Sequence, residues 1–182
     1  MDFFDVVNAR RSVRAYLPDM PSNEQIKKVL EAGMAAPSAG NRQPWEFIVV
    51  QKDQELKEAI VKTTYRGNSW LNGQTQSWLL EAPVLIIVCG VPQRSAARYG
   101  WEHTSKLIYQ DTAAAIENML LAATALGLAS CWVGGYDMVA LSALLKLPEF
   151  VPPLAILPLG YAARPQAKPA KLDPDSLIRA WL

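Results

Sequence analysis

The sequence predicts a β-sheet enclosed between layers of helices, because helical patterns alternate along the chain with short apolar runs. Each run is too short for a typical helix and is bounded by Gly, Pro or charged residues, so we expect strands that are buried on both faces. The four runs are residues 47–50, 84–88, 131–133 and 154–159. Pro158 in the last run predicts an edge position or a strand end.

Capping residues mark the starts of three predicted helices. Asp2 is placed to cap a short first helix that reaches Ala9. Ser22 and Gln25 form a capping box ahead of an apolar stripe, which predicts a second helix. Asp53 is the corresponding cap of a third. These helices therefore begin where a side chain can accept hydrogen bonds from the free N–H groups of the first turn.

The longest helical pattern covers residues 104–126 and is rich in Ala, with little polar relief. It predicts a central, mostly buried helix, and Gly127 supplies its end. Residues 64–78 fit neither the helical nor the strand period and mix aromatic residues with Gly and Asn. That segment is typical of a loop that lines a site, where Trp70 and Trp78 would cover a planar ligand.

Composition excludes several classes of protein. The chain has 182 residues, 51% of them hydrophobic, with 18 Lys and Arg against 17 Asp and Glu. Length and apolarity predict one domain with a substantial core, and they argue against disorder. The net charge of +1 argues against a strongly basic nucleic-acid binder. His103 is the only histidine, which disfavours a His-based metal site or a Ser-His-Asp triad.

The cysteines and the amino terminus indicate a cellular location. Cys89 and Cys131 are far apart and form no CxxC motif, so we expect two buried free thiols. No apolar stretch followed by a cleavage site occurs at the start, so no signal peptide is expected. Residues 119–135 are interrupted by polar residues and are too short to span a bilayer as a helix. We therefore expect a cytoplasmic protein.

Three guanidinium groups and a hydroxyl lie within residues 10–14, RRSVR. On an extended backbone the first, third and fifth side chains project to the same side. Arg presents paired donors that suit a phosphate, and Ser12 adds another donor. The segment predicts a site for a phosphorylated ligand, or alternatively a solvated charged turn that pairs with Asp2, Asp5 or Asp19.

Two further segments are candidates for ligand binding. Residues 37–45, PSAGNRQPW, form an irregular loop whose polar side chains suit the edge of a heterocycle. The alternative is an ordinary helix-to-strand connection. Residues 130–137 lead from a strand through two glycines to an Asp-capped helix, and the glycines allow a flat ligand to approach the backbone. The alternative is a purely structural turn.

Five motifs occur in an order that resembles the FMN-dependent nitroreductase family, in its compact branch. They are RRSVR, PSAGNRQPWEFIVV, EAPVLIIVC, DTAAAIENMLLAATALGLASCWVGG and PLGYAARP, and they cover nearly the whole chain. The resemblance implies an α+β fold of three layers, with a central, mostly antiparallel sheet flanked by helices. It also implies that residues 1–182 form a single FMN-binding domain and an intertwined homodimer with two FMN sites at the subunit interface.

The resemblance implies cofactor-binding roles for residues of all three segments. Those expected to hold the phosphate and neighbouring oxygens are Arg10, Arg11, Ser12 and Arg14. Those expected from the other subunit at the flavin ring are Pro37, Ser38, Ala39 and Asn41, with Gln43 nearby. Those expected over the isoalloxazine face, with backbone N–H directed toward N5, are Val133, Gly134 and Gly135.

The carboxyl-terminal region is expected to complete the phosphate site with one basic residue. Lys171 is the best match, and Lys168 and Arg164 are the alternatives. Asn68 and Trp70 are further candidates for contacts with flavin or substrate.

The activity that the resemblance implies needs no catalytic side chain, because the cofactor supplies the chemistry. NAD(P)H would deliver hydride to flavin N5 and leave, and a nitroaromatic or quinone would then be reduced in a ping-pong cycle. Some relatives carry an acidic residue at the position of Gly134, so the electron donor, NADH or NADPH, stays open. The alternatives are a relative that acts on a non-nitro acceptor and a non-catalytic flavin-binding or interaction protein.

Overall fold

A four-stranded antiparallel sheet forms the middle layer of the structure, a computed structural model that describes residues 1–67 and 73–182. The strands lie side by side in the order β1-β2-β4-β3, and each neighbouring pair is antiparallel. Their bounds are β1 Trp45–Val50, β2 Val84–Gly90, β3 Ala129–Ser130 and β4 Pro153–Gly160. The predicted α+β arrangement with a mostly antiparallel sheet is confirmed.

The helices begin where the capping residues predict. The Asp2 carboxylate accepts the Asp5 N–H at 2.9 Å, Asp53 accepts the Leu56 N–H at 2.8 Å, and both bonds of the Ser22–Gln25 capping box are present. The helices are α1 Phe3–Ala9, α2 Asn23–Met34, α3 Gln54–Lys62, α4 Pro92–Ala125, α5 Met138–Leu144 and α6 Pro174–Leu177. Short 3-10 turns occur at Ala39–Asn41 and Ser77–Glu81.

The sheet is buried on both faces, which makes the fold a three-layer structure. All seven residues of β2 are buried, and their side chains alternate between two apolar clusters. Leu85 and Ile87 pack in the cluster that includes residues of α3 and α5, whereas Val84 and Ile86 pack in the cluster that includes residues of α2 and α4. The expectation of strands buried between helical layers is therefore confirmed for β2 and β4, whereas β1, at the edge of the sheet, is only half-buried.

Helix α4 is longer than predicted and is divided at Gly100, whose φ of 75° and ψ of 162° are not helical. The part that precedes Gly100 was not predicted, although Pro92 at the first turn is a typical start signal. The helix ends as predicted, since the Gly127 N–H donates to the Thr124 carbonyl and the Leu128 N–H donates to the Ala123 carbonyl. Among the described residues, no helix is both long and apolar enough to cross a membrane.

The predicted strand at residues 131–133 is wrong in position. The strand is Ala129–Ser130, and only Val133 beyond it returns to β4, as an isolated bridge with Ile156. Residues 131 and 132 form no ladder pair with β4, although Val133 keeps the register set by the pairing of Ser130 with Leu159. A two-residue strand has too little pattern for its position to be read from the sequence.

The expectation that Pro158 marks an edge strand or a strand end is also wrong, because β4 lies between β2 and β3. The Ile156 N–H points toward the β3 side, where it donates to the Val133 carbonyl. By the alternation of a strand, the nitrogen of Pro158 faces the same side. It lies opposite the interruption at residues 131 and 132, where β4 needs no donor.

Replacing Gly127 by alanine should destabilise the protein through backbone strain alone. The φ of Gly127 is 72°, and a Cβ added there meets no atom within 4 Å. Gly127→Ala should lower the free energy of unfolding by about 1 kcal/mol, measured by urea denaturation. Gly127→Asn should lower the free energy of unfolding by less, because Asn tolerates the left-handed region. Equal stability of the alanine variant and the wild type would contradict this account.

Candidate active site

The basic segment at residues 10–14 is extended, as the predicted convergence of its side chains requires. Ser12 pairs with Ser130 in a parallel bridge, and the Val13 N–H donates to the Ser130 carbonyl at 3.0 Å. The Val13 side chain is buried in the core. Side chains alternate along extended backbone, so Arg10, Ser12 and Arg14 project to the opposite side from Val13.

A cavity of about 370 Å³ lies against this segment. All four amino-terminal residues that were predicted to bind the phosphate line it, together with residues of the carboxyl-terminal region. The lining residues are Arg10, Arg11, Ser12, Arg14, Gln166, Ala167, Pro169 and Lys171. Of the three carboxyl-terminal candidates, Lys171 is the one in this lining. Lys168 and Arg164 each line a different cavity from this one. Lys168 Nζ donates to Asn8 Oδ1 at 3.3 Å.

The two arginines at the start of the segment have different partners. Arg10 Nε lies 3.6 Å from Glu117 Oε1 of α4. Arg10 thus pairs with Glu117 and not with Asp2, Asp5 or Asp19. Arg11 Nη1 donates to the carbonyls of Asn8 at 2.6 Å and Arg10 at 2.8 Å. Arg11 thus satisfies carbonyls at the end of α1, where a cation is also favourable toward the helix dipole.

A second cavity, of about 550 Å³, lies beside residues 131–135. Its other side is formed by residues of the predicted loop 64–78, namely Tyr65, Arg66, Gly67, Gln76 and Trp78. Arg14 lines this cavity and the smaller one as well. The two cavities therefore share Arg14 in their linings, and cations are concentrated in the smaller one.

The two glycines beside the larger cavity have different surroundings. The Gly135 carbonyl accepts the Tyr65 N–H at 2.9 Å and Gln76 Nε2 at 3.0 Å, and a Cβ on Gly135 would lie 2.7 Å from the Tyr65 carbonyl oxygen. A Cβ on Gly134 would meet no atom within 4 Å. Close packing of the chain accounts for Gly135, while the space beside Gly134 is available to a ligand.

Trp78 forms a fixed aromatic wall of the larger cavity. Its ring stacks on Tyr16, with centroids 6.5 Å apart and planes 11° apart, and the Arg14 guanidinium lies 5.9 Å from its centroid. Tyr16 is buried and donates its hydroxyl to the Val13 carbonyl at 2.8 Å. Trp78 therefore lines a cavity, and its expected role of covering a planar ligand stays a prediction. The candidates Asn68 and Trp70 lie outside the described residues.

Cys131 lines the larger cavity, and sequence reasoning did not identify it as a site residue. Burial raises the pKa of the Cys131 thiol, and the nearby Arg14 and Ser12 partly oppose that rise. Burial also raises the pKa of Cys89, to about 11. Both thiols are buried and free, as predicted, and both are protonated at neutral pH. Neither presents a thiolate nucleophile.

The loop of residues 37–43 lies away from both cavities in this chain. Among the described residues, those that line the two cavities include none from this loop. The Ala39 N–H is bonded to the Asp111 carboxylate, and the Gln43 N–H donates to Ser38 Oγ at 2.9 Å. The side chains of Asn41 and Gln43 are exposed. One chain therefore brings together two of the three predicted segments.

The adjoining cavities suit a ligand with an anionic end and a flat end. Guanidinium and ammonium groups and a hydroxyl can bind a phosphate in the smaller cavity. In the larger cavity, the space beside Gly134 and the ring of Trp78 leave room for a planar group. The combined arrangement fits FMN, which joins a phosphate to a planar ring system, and the described residues there include no side-chain nucleophile with a base beside it.

The fold is α+β with two cavities that share Arg14, and comparison with known proteins specifies the family. The profile of the nitroreductase family matches residues 7–161. The chain belongs to the nitroreductase family.

Individual relatives agree with this assignment. An Archaeoglobus fulgidus protein with the provisional name NADH dehydrogenase/NAD(P)H nitroreductase is 40% identical over 160 residues, which cover 86% of this chain and 83% of that protein. A Bacillus subtilis protein named as an NAD(P)H FMN reductase is 30% identical, covering 92% of this chain and 68% of its own length. A crystal structure from Parabacteroides distasonis, with the same provisional name as the first, has a TM-score of 0.81 at 29% identity and covers 98% of both chains.

The two glycines should respond differently to alanine. Gly135→Ala places a methyl group against the Tyr65 carbonyl, so it should lower the free energy of unfolding by about 1–3 kcal/mol. Gly134→Ala should change it by no more than about 0.5 kcal/mol. Chemical denaturation of both variants measures the difference, and equal losses would show that the turn does not pack as described.

Proposed function

We propose that the protein is an FMN-dependent oxidoreductase that takes electrons from NAD(P)H and reduces a small electrophile such as a nitroaromatic or a quinone. The observation that carries the proposal is the position of Arg14, which lines both the cation-rich cavity and the cavity beside Gly134. Membership of the nitroreductase family supports the same conclusion. When bound, FMN would supply the redox chemistry by accepting hydride and passing on electrons.

Under this proposal, the residues of the smaller cavity hold the phosphate. Arg10, Ser12 and Lys171 would donate to its oxygens, and Glu117 would keep Arg10 in position through their ion pair. Arg11 would add positive charge while its Nη1 stays with the end of α1. Arg14 would contact oxygens nearer the ring, because it is shared with the larger cavity.

The residues of the larger cavity would bind and orient the ring system. Val133 and Gly134 would lie along one face, with the Gly134 N–H directed toward the ring edge, because the Val133 N–H donates to the Ile156 carbonyl; Gly135 would hold that turn against Tyr65. Trp78 would limit the space on the side of the 64–78 loop. The other face would stay open, first to NAD(P)H and then to the acceptor.

We further propose that residues 1–182 act as one FMN-binding domain in a homodimer, in which the loop of residues 37–43 reaches the ring in the other subunit. The contacts would come from Pro37, Ser38, Ala39 and Asn41, with Gln43 nearby. The loop's separation from the cavities of its own protomer supports this arrangement. Large apolar side chains exposed on α1 and the carboxyl-terminal region, including Phe3, Phe4 and Trp181, suit a subunit interface.

Loss of the Arg10 guanidinium should weaken FMN but not riboflavin, which lacks the phosphate. Arg10→Ala removes a charged donor, so the dissociation constant for FMN should rise about tenfold to a hundredfold. Fluorescence titration of the apoprotein with both flavins measures the effect. Lys52→Ala is the matched control, because Lys52 is exposed and lines none of the cavities that Arg10 lines. An equal loss for both flavins would contradict the assignment of the phosphate end.

Purified protein should bind FMN, lose its yellow colour anaerobically with NAD(P)H and regain it with a suitable acceptor. Because one open face serves donor and acceptor in turn, steady-state double-reciprocal plots should give parallel lines. Intersecting lines would argue against that cycle. Flavin uptake without bleaching would favour a non-catalytic flavin-binding protein. Reoxidation by only non-nitro acceptors would favour a relative that acts on a non-nitro acceptor. Failure to take up FMN would refute the main proposal.

A further inference from the structure

The loop of residues 38–43 has an unfavourable backbone conformation. Gly40, Asn41 and Gln43 all have positive φ, at 55°, 54° and 48°. Glycine and asparagine tolerate this region, but glutamine has no side-chain feature that favours it. Such a conformation persists only where surrounding contacts determine it. The contacts that hold this loop therefore decide where its polar groups lie.

One contact comes from Asp111, in the part of α4 that follows Gly100. The Asp111 side chain is buried, and the Ala39 N–H donates to its Oδ1 at 3.1 Å and its Oδ2 at 3.2 Å. Burial raises the pKa of this carboxyl, and the Ala39 N–H opposes the rise. A hydrogen bond to a carboxylate is stronger than one to a neutral acceptor, so this bond holds the start of the loop firmly.

A second contact comes from Arg94, in the part of α4 that precedes Gly100. Arg94 Nη1 donates to the Gln43 carbonyl at 2.9 Å and the Trp45 carbonyl at 3.0 Å, while Nη2 pairs with Glu46 Oε1 at 2.6 Å. The planar fork of a guanidinium group suits such simultaneous bonds. Arg94 thus holds the end of the loop as Asp111 holds its start.

The middle of the loop also lies against α4. A Cβ on Gly40 would come within 2.5 Å of the Tyr99 hydroxyl and 3.0 Å of Arg98 Nη1. The non-helical Gly100 changes the direction of α4 between Arg94 and Asp111. Both parts of the helix therefore contact the same short loop.

We propose that Asp111 and Arg94 are positioning residues, which hold the loop of residues 38–43 in the conformation that binds the flavin ring. This inference rests on the proposed function, in which Ser38, Ala39 and Asn41 contact the ring of the neighbouring subunit. Neither Asp111 nor Arg94 lines the cavities beside residues 10–14 and 131–135. They act through the loop.

Binding of two flavins by the dimer tests the proposal. In Asp111→Ala and Arg94→Ala, the dissociation constants for FMN and riboflavin should rise by the same factor, about tenfold, because the ring contacts change while the phosphate contacts do not. Asp111→Asn should restore most of the affinity, since its amide oxygen can still accept the Ala39 N–H. The exposed residues Asp19 and Lys52 supply control variants, Asp19→Ala and Lys52→Ala, whose affinities should stay at the wild-type value.

Two further measurements separate positioning from general damage. Hydrogen exchange of the apoprotein should accelerate at residues 38–43 in both variants and stay unchanged in the strands. The double variant should bind flavin about as weakly as either single variant, because release of one end already frees the loop. Two independent roles would instead multiply the losses.

The outcomes distinguish this inference from the proposed function. If the wild type binds neither flavin, both are overturned. If it binds FMN and the folded variants bind FMN equally well, only the positioning role is overturned. A loss confined to FMN, or an Asp111→Asn variant as weak as Asp111→Ala, would also overturn it. If Asp111→Ala does not fold, Arg94→Ala and Asp111→Asn decide the question by the same criteria.

Discussion

The structure depends above all on the backbone pairing at Ser130. On one side this residue pairs with Leu159 of β4, and on the other its carbonyl accepts the Val13 N–H. A single residue thus joins the central sheet to the basic segment at residues 10–14. Because the chain passes directly from Ser130 into Cys131 and the two glycines, the same pairing brings the cation-rich cavity beside the cavity along Gly134.

Helix α4 supports this arrangement from several positions along its length. Its buried face packs on the sheet, Glu117 pairs with Arg10, and Asp111 and Arg94 hold the loop of residues 38–43. One helix therefore packs on the sheet and also contacts the basic segment and the loop. The near-neutral net charge is compatible with a local concentration of cations: four basic residues line the smaller cavity, three in the amino-terminal segment and Lys171.

Sequence reasoning found the parts of the site that are contiguous in the chain. The basic segment, the two glycines and Trp78 each have a recognisable local pattern, and the structure places them at adjoining cavities. It did not find Cys131, Asp111 or Arg94 as site or loop-holding residues. Asp111 and Arg94 lie within a helical pattern that gives no sign of what they contact, and the loop they hold is more than 45 residues away in the chain. The displaced strand at residues 129–130 has the same cause, since its bounds follow from pairing with β4.

The sequence by itself determined the helix caps, the helix end at Gly127, three of the four strands and the concentration of cations near the amino terminus. These features depend on interactions between residues close together in the chain, so composition, period and spacing suffice to predict them. Only the tertiary structure decided which carboxyl-terminal basic residue lines the cavity of the arginines and which glycine faces open space. It also decided which residues hold the loop of residues 38–43. Those outcomes depend on the approach of distant segments, whose distances and directions are set by packing of the whole sheet and its helices.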